Sequence, residues 1–526
     1  MSSSSQLRWR SWSAAVLDEA ARSRRPLFLF LSPAWAEATH RYEDGALADR
    51  TVQGVLAERY VPVRVDPDRR PDLDARYNLG GWPTLAVLAP GGDLLAAANL
   101  AEPSRLAAYL AALAEEWGAR QPVLERHLER YRLPDQLPEL LTEPGAGWVA
   151  ELEEGLLRQY DPEHAGFGGA PKFLPLEPLE ALAALPPREL PERLRSLLPA
   201  TLAALEASPL HDPRGGFRRL AAEADWSDPV GERLLADNAR LLAVTARLAR
   251  PEAGWADELE AAGFRAAKLA GELVGFLRSM EGDHGWAAAF DAVPGPGGRA
   301  VLSAQAPVGA ASQAARALFE AEAAGLGRAA RARAFLEEVD RELPAGPGAA
   351  LRLPHDLPGV ADPEPSPLRG YLGDLAPLGR AFLAAWAAGG RIDCLRRSLE
   401  LAAGALESLR SGTGALHDLP EEAARALGLR RAAAYPALNA EAALWFLTLA
   451  DALSPAPAPR RRALPPAGRR ALENLPSAAE LLEAARAILA WGLPFAPTSG
   501  WQGAAWYLPL RLFLRLTAGT GSTPAP

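Results

Sequence analysis

The first part of the chain, residues 11–117, alternates short apolar runs with stretches of helical periodicity. Leu27–Leu31 is an uninterrupted apolar run that predicts a buried strand, and residues 60–65 predict a second strand whose proline indicates an edge or a bulge. A helix from about residue 35 to residue 59 is predicted between them. A hairpin around Pro90-Gly91-Gly92 and a helix over 103–116 complete a pattern that is typical of an α/β domain.

The pattern changes near residue 145, beyond which strand-like runs disappear. About twelve segments carry apolar residues at i, i+3, i+4 and i+7 and are separated by Gly/Pro loops. No strict repeat period is visible, so a closed toroid of helical hairpins fits better than an open solenoid. The predicted organisation is an α/β domain over 1–120, a helical linker over 121–145 and an all-α toroid over 146–526.

Composition and charge narrow the functional classes. The formal net charge of the 526 residues is −9, which argues against a nucleic-acid-binding face. No apolar run approaches the roughly 18 residues of a membrane span, and the N-terminus lacks an apolar signal core. Cys394 is the single cysteine, so no intrachain disulfide forms, which suits a reducing compartment. We expect a cytoplasmic protein without nucleic-acid or membrane partners.

One segment has the position, but not the chemistry, of a thiol redox site. Thioredoxin folds place Trp-Cys-x-x-Cys after a buried strand, where the N-terminus of the next helix lowers the pKa of the thiol. Here Ala36 and Thr39 stand at the two cysteine positions, so dithiol exchange is excluded. Pro83 precedes the next strand, and we predict a cis Trp82–Pro83 bond that faces these two positions. The degenerate thioredoxin site comprises Trp35, Ala36, Thr39, His40, Trp82 and Pro83.

These motifs together resemble the spermatogenesis-associated thioredoxin-domain family. The residues that carry the resemblance are Trp12, Pro26-Leu27-Phe28-Leu29, Trp35 to His40, Val63-Arg64-Val65-Asp66, Arg70-Pro71-Asp72 and Gly80-Gly81-Trp82-Pro83-Thr84. The resemblance implies a multi-domain fold, with an N-terminal α/β thioredoxin-like domain followed by an all-α (α/α)6 six-hairpin glycosidase-like toroid. The family usually carries Cys-x-x-Cys followed by His, and only His40 of that signature is present here.

The same resemblance directs attention to the polar loops of the toroid. Sugar chemistry requires paired carboxylates and an aromatic platform. Glu232 and Asp237 are the candidate catalytic residues, and the candidate ligand-binding residues are His211, Asp225, Trp226, Asp374 and Asn439. We predict that Asp225, Trp226, Glu232, Asp237, Asp374 and Asn439 converge at one mouth of the toroid. The alternative for Glu232, Asp237, Asp374 and Asn439 is helix capping or buried hydrogen bonding between hairpins.

Several losses in both domains favour a degenerate active site. Family segments that are charged in relatives are apolar here, as in residues 304–311, and no histidine pair has metal-ligand spacing with a third ligand. The expected function is a non-redox protein whose toroid binds a carbohydrate-like ligand or a small molecule, or whose thioredoxin-like surface binds a protein partner. The alternative is a carbohydrate-active enzyme, a glycoside hydrolase or an epimerase of carbohydrate metabolism. A thiol-disulfide oxidoreductase is disfavoured, and no cofactor or metal is expected.

Overall fold

The computed structural model describes residues 7–98, 102–131, 141–282, 285–292, 301–303, 305–357, 365–454, 470 and 472–518. Asp283 and His284, which belong to a loop considered above, and residues 132–140 of the expected linker lie outside this set. No helix in the described ranges is both long and apolar enough to cross a membrane.

The N-terminal domain is built on a five-stranded mixed sheet. Its strands are β1 (Arg10–Ser11), β2 (Leu27–Leu31), β3 (Val61–Val65), β4 (Thr84–Leu88) and β5 (Leu94–Ala98), in the order β1-β3-β2-β4-β5. Strands β1, β2 and β3 run parallel to one another. Strand β4 is antiparallel to both of its neighbours, β2 and β5. Every residue of β2 is buried, because helices cover both faces of this central strand.

Five helices surround the sheet, and one of them differs from the prediction. The helices are α1 (Ala14–Ser23), α2 (Glu37–Asp44), α3 (Arg50–Arg59), α4 (Pro71–Tyr77) and α5 (Pro103–Tyr131). The single helix expected over residues 35–59 was wrong, since the chain leaves α2 at Gly45 and begins α3 after Asp49. Asp49 caps the new helix by accepting hydrogen bonds from the backbone N–H groups of Thr51 and Val52, which favours a fresh start there.

The second domain contains two sets of helices. The first set is α6 (Ala146–Gln159), α9 (Leu197–Ala207), α12 (Ala266–Ser279), α14 (Ala330–Glu342), α17 (Ile392–Ser408) and α20 (Ala478–Gly492). The second set is α7 (Leu176–Ala183), α10 (Leu235–Leu248), α13 (Val308–Ala323), α16 (Leu372–Gly389), α19 (Pro436–Leu453) and α21 (Tyr507–Ala518). Short helices lie in the loops, namely α8 (Glu192–Arg195), α11 (Ala256–Ala261), α15 (Ala349–Arg352) and α18 (Glu421–Ala426).

The second set forms a closed inner ring. Each of α7, α10, α13, α16 and α19 packs on the next, and the 3₁₀ segment Gly500–Trp506, which leads into α21, touches both α19 and α7. The first set alternates with the inner helices along the chain and packs outside them, so six hairpins close on themselves. This confirms the predicted (α/α)6 toroid. All inner helices begin at the same end of the ring, which we call the mouth.

The turns that lead into the ring carry an internal repeat that the sequence did not reveal. Asn238, in α10, accepts a hydrogen bond from the N–H of Phe217 at 2.6 Å and donates to its carbonyl at 3.0 Å. Asn439, in α19, makes the same two bonds to Leu416, at 2.7 and 2.9 Å. Both amides are fully buried, so Asn439 clamps a turn and the alternative of buried hydrogen bonding holds for it.

The expectation that strands disappear after residue 145 was also wrong. Two-residue strands pair near the mouth, because they are too short to give a period-two pattern. They are β6 (Lys172–Phe173), β7 (Leu220–Ala221), β8 (Arg233–Leu234), β9 (Glu281–Gly282), β10 (Gly285–Trp286) and β11 (Ala289–Phe290).

The asparagine clamp gives the first prediction. Replacing Asn439 with Ala leaves the buried N–H and C=O of Leu416 without partners, so the free energy of unfolding should fall by about 2–4 kcal/mol. Urea denaturation followed by circular dichroism measures this. Gln121→Ala, on the exposed surface of α5, is the control and should change stability by less than about 0.5 kcal/mol. Equal effects of the two substitutions would contradict the assigned role.

Candidate functional site

The thioredoxin-like domain is docked on the mouth of the toroid. The N–H of Ala292 donates to the carbonyl of Trp35 at 3.1 Å, and His40 Nε2 lies 3.2 Å from a carboxylate oxygen of Asp291. On another side of the interface, Trp12 Nε1 donates to the carbonyl of Leu427 at 3.2 Å. These toroid residues belong to the loops that precede inner helices. The N-terminal domain therefore covers the end of the ring where the inner helices begin.

The degenerate redox site lies inside this interface. Ala36 and Trp35 are 2% and 3% exposed and pack on Ala289 of the toroid. Thr39 is buried and is hydrogen-bonded to Ser32 and to the carbonyl of Pro33. The Trp82–Pro83 bond is cis, as predicted, and Trp82 packs edge-on against Trp35 with ring centroids 5.6 Å apart. The surface that redox thioredoxins present to substrates is thus covered by the chain's own toroid.

A toroid carboxyl occupies the neighbourhood that a thiolate would use. Burial raises the pKa of Glu232, and the Glu37 carboxylate adds to this rise. The backbone N–H of Glu232 itself, Arg219 and the backbone N–H of Glu37 act in the opposite direction. Glu37 is the first residue of α2, so the Glu232 carboxyl lies beside the N-terminus of that helix. Its Oε2 is buried without a hydrogen-bond partner. Glu232 therefore approaches the positive end of α2 from the opposite domain.

Arg219 is at the centre of the mouth, where charges from both domains meet. Its guanidinium lies 4.3 Å from the ring centroid of Trp82, and its backbone N–H donates to the carbonyl of Glu232 at 3.1 Å. Burial lowers the pKa of Arg219, while Asp237, Glu232 and Asp74 of the N-terminal domain raise it. Within the described residues, the Arg219 guanidinium forms no hydrogen bond and no ion pair. Arg219, Glu232, Asp237 and Trp82 are called the mouth cluster below.

Asp237 connects the mouth to the interior of the ring. It stands in the first turn of α10, and burial raises its pKa to about 6, against the opposing effects of Arg219 and Arg240. Glu177, in the first turn of α7, raises it further. A carboxyl with this pKa is partly protonated near neutral pH and can donate or accept a proton. Glu232 and Asp237 therefore both lie within electrostatic reach of the same arginine, Arg219.

The axis of the ring is lined by charged residues. Arg316, in α13, pairs with Glu180 of α7 at 3.5 Å, and these helices are not neighbours, so the contact crosses the axis. Arg240 pairs with Glu180 at 2.7 Å. Burial raises the pKa of Glu180, but these arginines outweigh it and hold the pKa at about 2. The axial cluster comprises Glu177, Glu180, Arg240, Arg316, Arg380 and Glu441.

This axial cluster borders a space that water reaches. The side chains of Glu180 and Arg316 are 28% and 10% exposed although they point toward the centre of a closed ring. Arg380 and Glu441, which pair at 3.1 Å, are 17% and 23% exposed. Exposed charge at the centre of a ring indicates a hydrated axial cavity rather than a packed apolar core.

Asp374 does not join the mouth cluster but fixes the interface of the two domains. Its Oδ2 is 2.8 Å from Nδ1 of His355, and its Oδ1 accepts from the N–H of Gly309 at 2.9 Å. The other ring nitrogen, Nε2 of His355, lies 2.7 Å from the carbonyl oxygen of Asp68 in the N-terminal domain. Burial lowers the pKa of His355, but the Asp374 carboxylate outweighs it and raises the pKa to about 9. His355 is thus a buried cation that joins the domains.

The other predicted ligand-binding residues are each held by local partners, although Asp374 and Asn439 stand near the starts of inner helices and so lie at the same end of the ring. Asp225 is exposed and accepts from Ser227, and Trp226 is buried with Nε1 donating to the carbonyl of His164 at 2.9 Å. His211 stacks on Phe217 with centroids 4.7 Å apart. Asn439 clamps its turn. Local hydrogen bonding and packing hold these side chains, as loop and cap residues commonly are held.

Sequence reasoning missed Arg219 and the whole axial cluster. A usable signal exists, since Glu180, Arg240 and Arg316 stand among mostly apolar residues of inner helices. Charges on an apolar helix face indicate a polar interior rather than a surface. No group of His, Cys, Asp and Glu in the described ranges is arranged to hold a metal ion.

The His355 contact gives the second prediction, on pH. The pKa of His355 in the folded protein, about 9, exceeds the unfolded value of about 6.5, so its stabilisation is complete below pH 6.5 and is lost as the pH rises through 9. The free energy of unfolding should fall by about 2–3 kcal/mol between pH 7 and pH 9.5. Burial, followed by the effect of Asp66, raises the pKa of Asp68 to about 7. The titration of Asp68 therefore changes the free energy of unfolding mainly below pH 7, outside the range of this prediction.

Chemical denaturation at each pH measures this fall. His355→Gln should be less stable at pH 7 and should lose most of the dependence above it. If the free energy of unfolding of His355→Gln fell with pH as steeply as that of the wild type, His355 would be excluded as the cause of the fall.

Comparison with known proteins supports the assignment of the N-terminal domain. Residues 2–132 match the family model Thioredox_DsbH, described as a protein of unknown function, DUF255. Spermatogenesis-associated protein 20 of Homo sapiens is 26% identical over 263 residues, which is 44% of this chain and 33% of the human protein. The rat protein of the same name is 25% identical over 266 residues, 45% of this chain and 33% of its own length. The chain thus spans about a third of these relatives.

Solved structures with a related arrangement are more distant. The cellobiose 2-epimerase of Spirochaeta thermophila superposes with a TM-score of 0.48 and 16% identity, covering 72% of this chain and 99% of the epimerase. A GH76A alpha-1,6-mannanase from a Salegentibacter species gives 0.43 and 13%, covering 70% and 98%. The closed ring of helical hairpins is established by the helix contacts of this chain itself. Residues 2–132 thus match a thioredoxin-like family model, and less than half of the chain is similar to spermatogenesis-associated protein 20, although the paired cysteines are absent here.

Proposed function

We propose that this protein is a non-redox binding protein that holds a small, hydroxyl-rich, carbohydrate-like ligand between the mouth cluster and the axial cavity. The observation that carries the proposal is that Glu232 and Asp237 both lie within electrostatic reach of Arg219 at the mouth, while the Oε2 of Glu232 is buried without a hydrogen-bond partner. Buried polar groups are normally hydrogen-bonded, so unpaired ones at an entrance favour a bound partner.

The surroundings fit such a ligand in two further ways. Trp82 offers an apolar ring beside charged groups, and mixed apolar and polar surfaces of this kind suit a sugar, whose ring faces are apolar and whose rim carries hydroxyls. The axial cluster supplies further donors and acceptors below Asp237. A separate protein partner at the thioredoxin-like surface would have to use parts other than Trp35 and Ala36, which are covered.

The binding proposal leads to a third prediction. In thermal-shift measurements on the full chain, at least one member of a panel of mono- and disaccharides should raise the unfolding temperature, because a ligand that binds the folded state stabilises it. Asp237→Asn should raise the dissociation constant of the responding sugar roughly tenfold, as expected for a lost charge-assisted hydrogen bond. Asp257→Asn, at an exposed position of α11, is the matched control and should leave binding unchanged. A panel without any response, or equal effects of the two variants, would contradict the proposal.

A carbohydrate-active enzyme is the second candidate, and the raised pKa values of Asp237 and Glu232 favour it. Two carboxyls with shifted pKa values can divide the roles of acid and base. Our proposal expects Glu232→Ala and Asp237→Ala to change binding more than turnover. Strong hydrolysis or epimerisation of a panel sugar by the wild type, abolished by either variant, would establish the enzyme instead.

The fourth prediction separates both candidates from thiol chemistry. The wild type and Cys394→Ala should reduce insulin no faster than buffer, because Ala36 and Thr39 replace the thiols. The double variant Ala36→Cys/Thr39→Cys should also remain inactive, since position 36 is buried against the toroid. Its far-ultraviolet circular dichroism should match that of the wild type. Insulin reduction by the folded double variant would show that the site is accessible after all.

A further inference from the structure

A second cavity lies at the junction of the two domains and shares no lining residue with the mouth or axial clusters. Its volume is about 1130 Å³. The N-terminal domain contributes the end of α4 and the turn between β4 and β5, and the toroid contributes the turn after α17 and the loop between α18 and α19. Ligand pockets commonly measure about 300–1,000 Å³ and often lie between domains, so this space is large enough for an organic ligand.

The lining of this junction cavity is basic, in contrast to the chain as a whole. Five positively charged side chains line it, namely Arg76, Arg410, Arg425, Arg430 and Arg431. Two negatively charged side chains line it, namely Asp93 and Glu421. The full sequence carries a net charge of −9, so the excess of arginine here is a local feature. A cleft lined by one sign of charge concentrates ligands of the opposite sign.

The arginines differ in how much of their hydrogen-bonding capacity is already used. Arg430 pairs with Asp93 at 2.7 Å and donates to the carbonyl of Gly91. Arg425 pairs with Glu421 at 3.1 Å, and Arg76 pairs with Asp418 at 3.2 Å while its Nε has no partner. Arg410 is exposed and donates no side-chain hydrogen bond within the described residues, and its charge is felt by Glu483, whose pKa it helps to lower after the larger effect of Arg486. The cavity therefore contains a guanidinium with all its donors available.

We propose that the junction cavity binds a small ligand that carries two or more phosphate-type negative charges, with Arg410 as its principal contact. A guanidinium presents paired N–H donors that match the oxygen atoms of a phosphate group. The half-paired Arg76 lies on the N-terminal side and supplies a second positive charge. Because the lining comes from both domains, an occupied cavity also holds them together.

Isothermal titration of the full chain with pyrophosphate and tripolyphosphate, at ionic strength matched with sodium chloride, tests this inference. We expect saturable binding of both, tighter for tripolyphosphate, and weaker or no binding of inorganic phosphate. Arg410→Gln should raise the dissociation constant of tripolyphosphate roughly tenfold, as expected for a lost charge-assisted hydrogen bond. Arg341→Gln is the matched control, since Arg341 is also exposed on α14 without a hydrogen bond or ion pair in the described ranges.

Both substitutions lie on the surface, so the unfolding temperature of each variant should stay close to that of the wild type. Absence of saturable binding at matched ionic strength, or equal losses in Arg410→Gln and Arg341→Gln, would overturn the inference. Asp237→Asn should leave pyrophosphate binding intact, so that failure here and failure of the carbohydrate-binding proposal remain distinguishable.

Discussion

The docking of the degenerate redox face on the mouth of the ring determines most other features of this protein. Ala36 is small and apolar, which allows Trp35 and Trp82 to pack against Ala289 of the toroid without an unpaired polar atom. A catalytic thiolate needs access to a substrate disulfide, whereas position 36 is buried against the toroid. Loss of the cysteines and burial of their surface are therefore consistent with each other, and the N-terminal domain closes over the mouth of the ring.

Charge is the second constraint, because the covered mouth is not apolar. Replacing buried ion pairs with apolar residues of similar volume is often neutral or stabilising, so stability alone does not explain why Glu180, Arg240 and Arg316 line the axis. Binding of a polar ligand in a hydrated axial cavity, as we propose, would explain them. The unpaired Arg219 and Glu232 above this cavity extend the same polar surface to the interface, where Trp82 adds the apolar component.

The sequence predicted what depends on local pattern and missed what depends on ring closure. Leu27–Leu31 and the inner helices follow from periodicity, and the degenerate site follows from Ala36 and Thr39 at defined positions. The break at Gly45 escaped notice because an Asp cap three residues before Val52 is a short signal within a longer helical pattern. Asn439 looked like a ligand residue because a buried polar side chain in a loop-to-helix segment has the same sequence appearance whether it clamps a turn or binds a substrate. Arg219 was missed because its neighbours Asp74 and Trp82 are far away in the chain.

Buried charged contacts hold the two domains together at their interface. His355 joins Asp374 of the ring to the carbonyl of Asp68, and Arg76 joins the N-terminal domain to Asp418, which also accepts from the N–H groups of Leu419 and Ala433 near the junction cavity. Both contacts are buried and charged, so removing one partner leaves an uncompensated charge, which costs more than a surface ion pair would. The two domains are therefore held by charges that cannot be exposed cheaply. A ligand bound as we propose, at the mouth or in the junction cavity, would touch residues of both domains and would thereby stabilise this same contact.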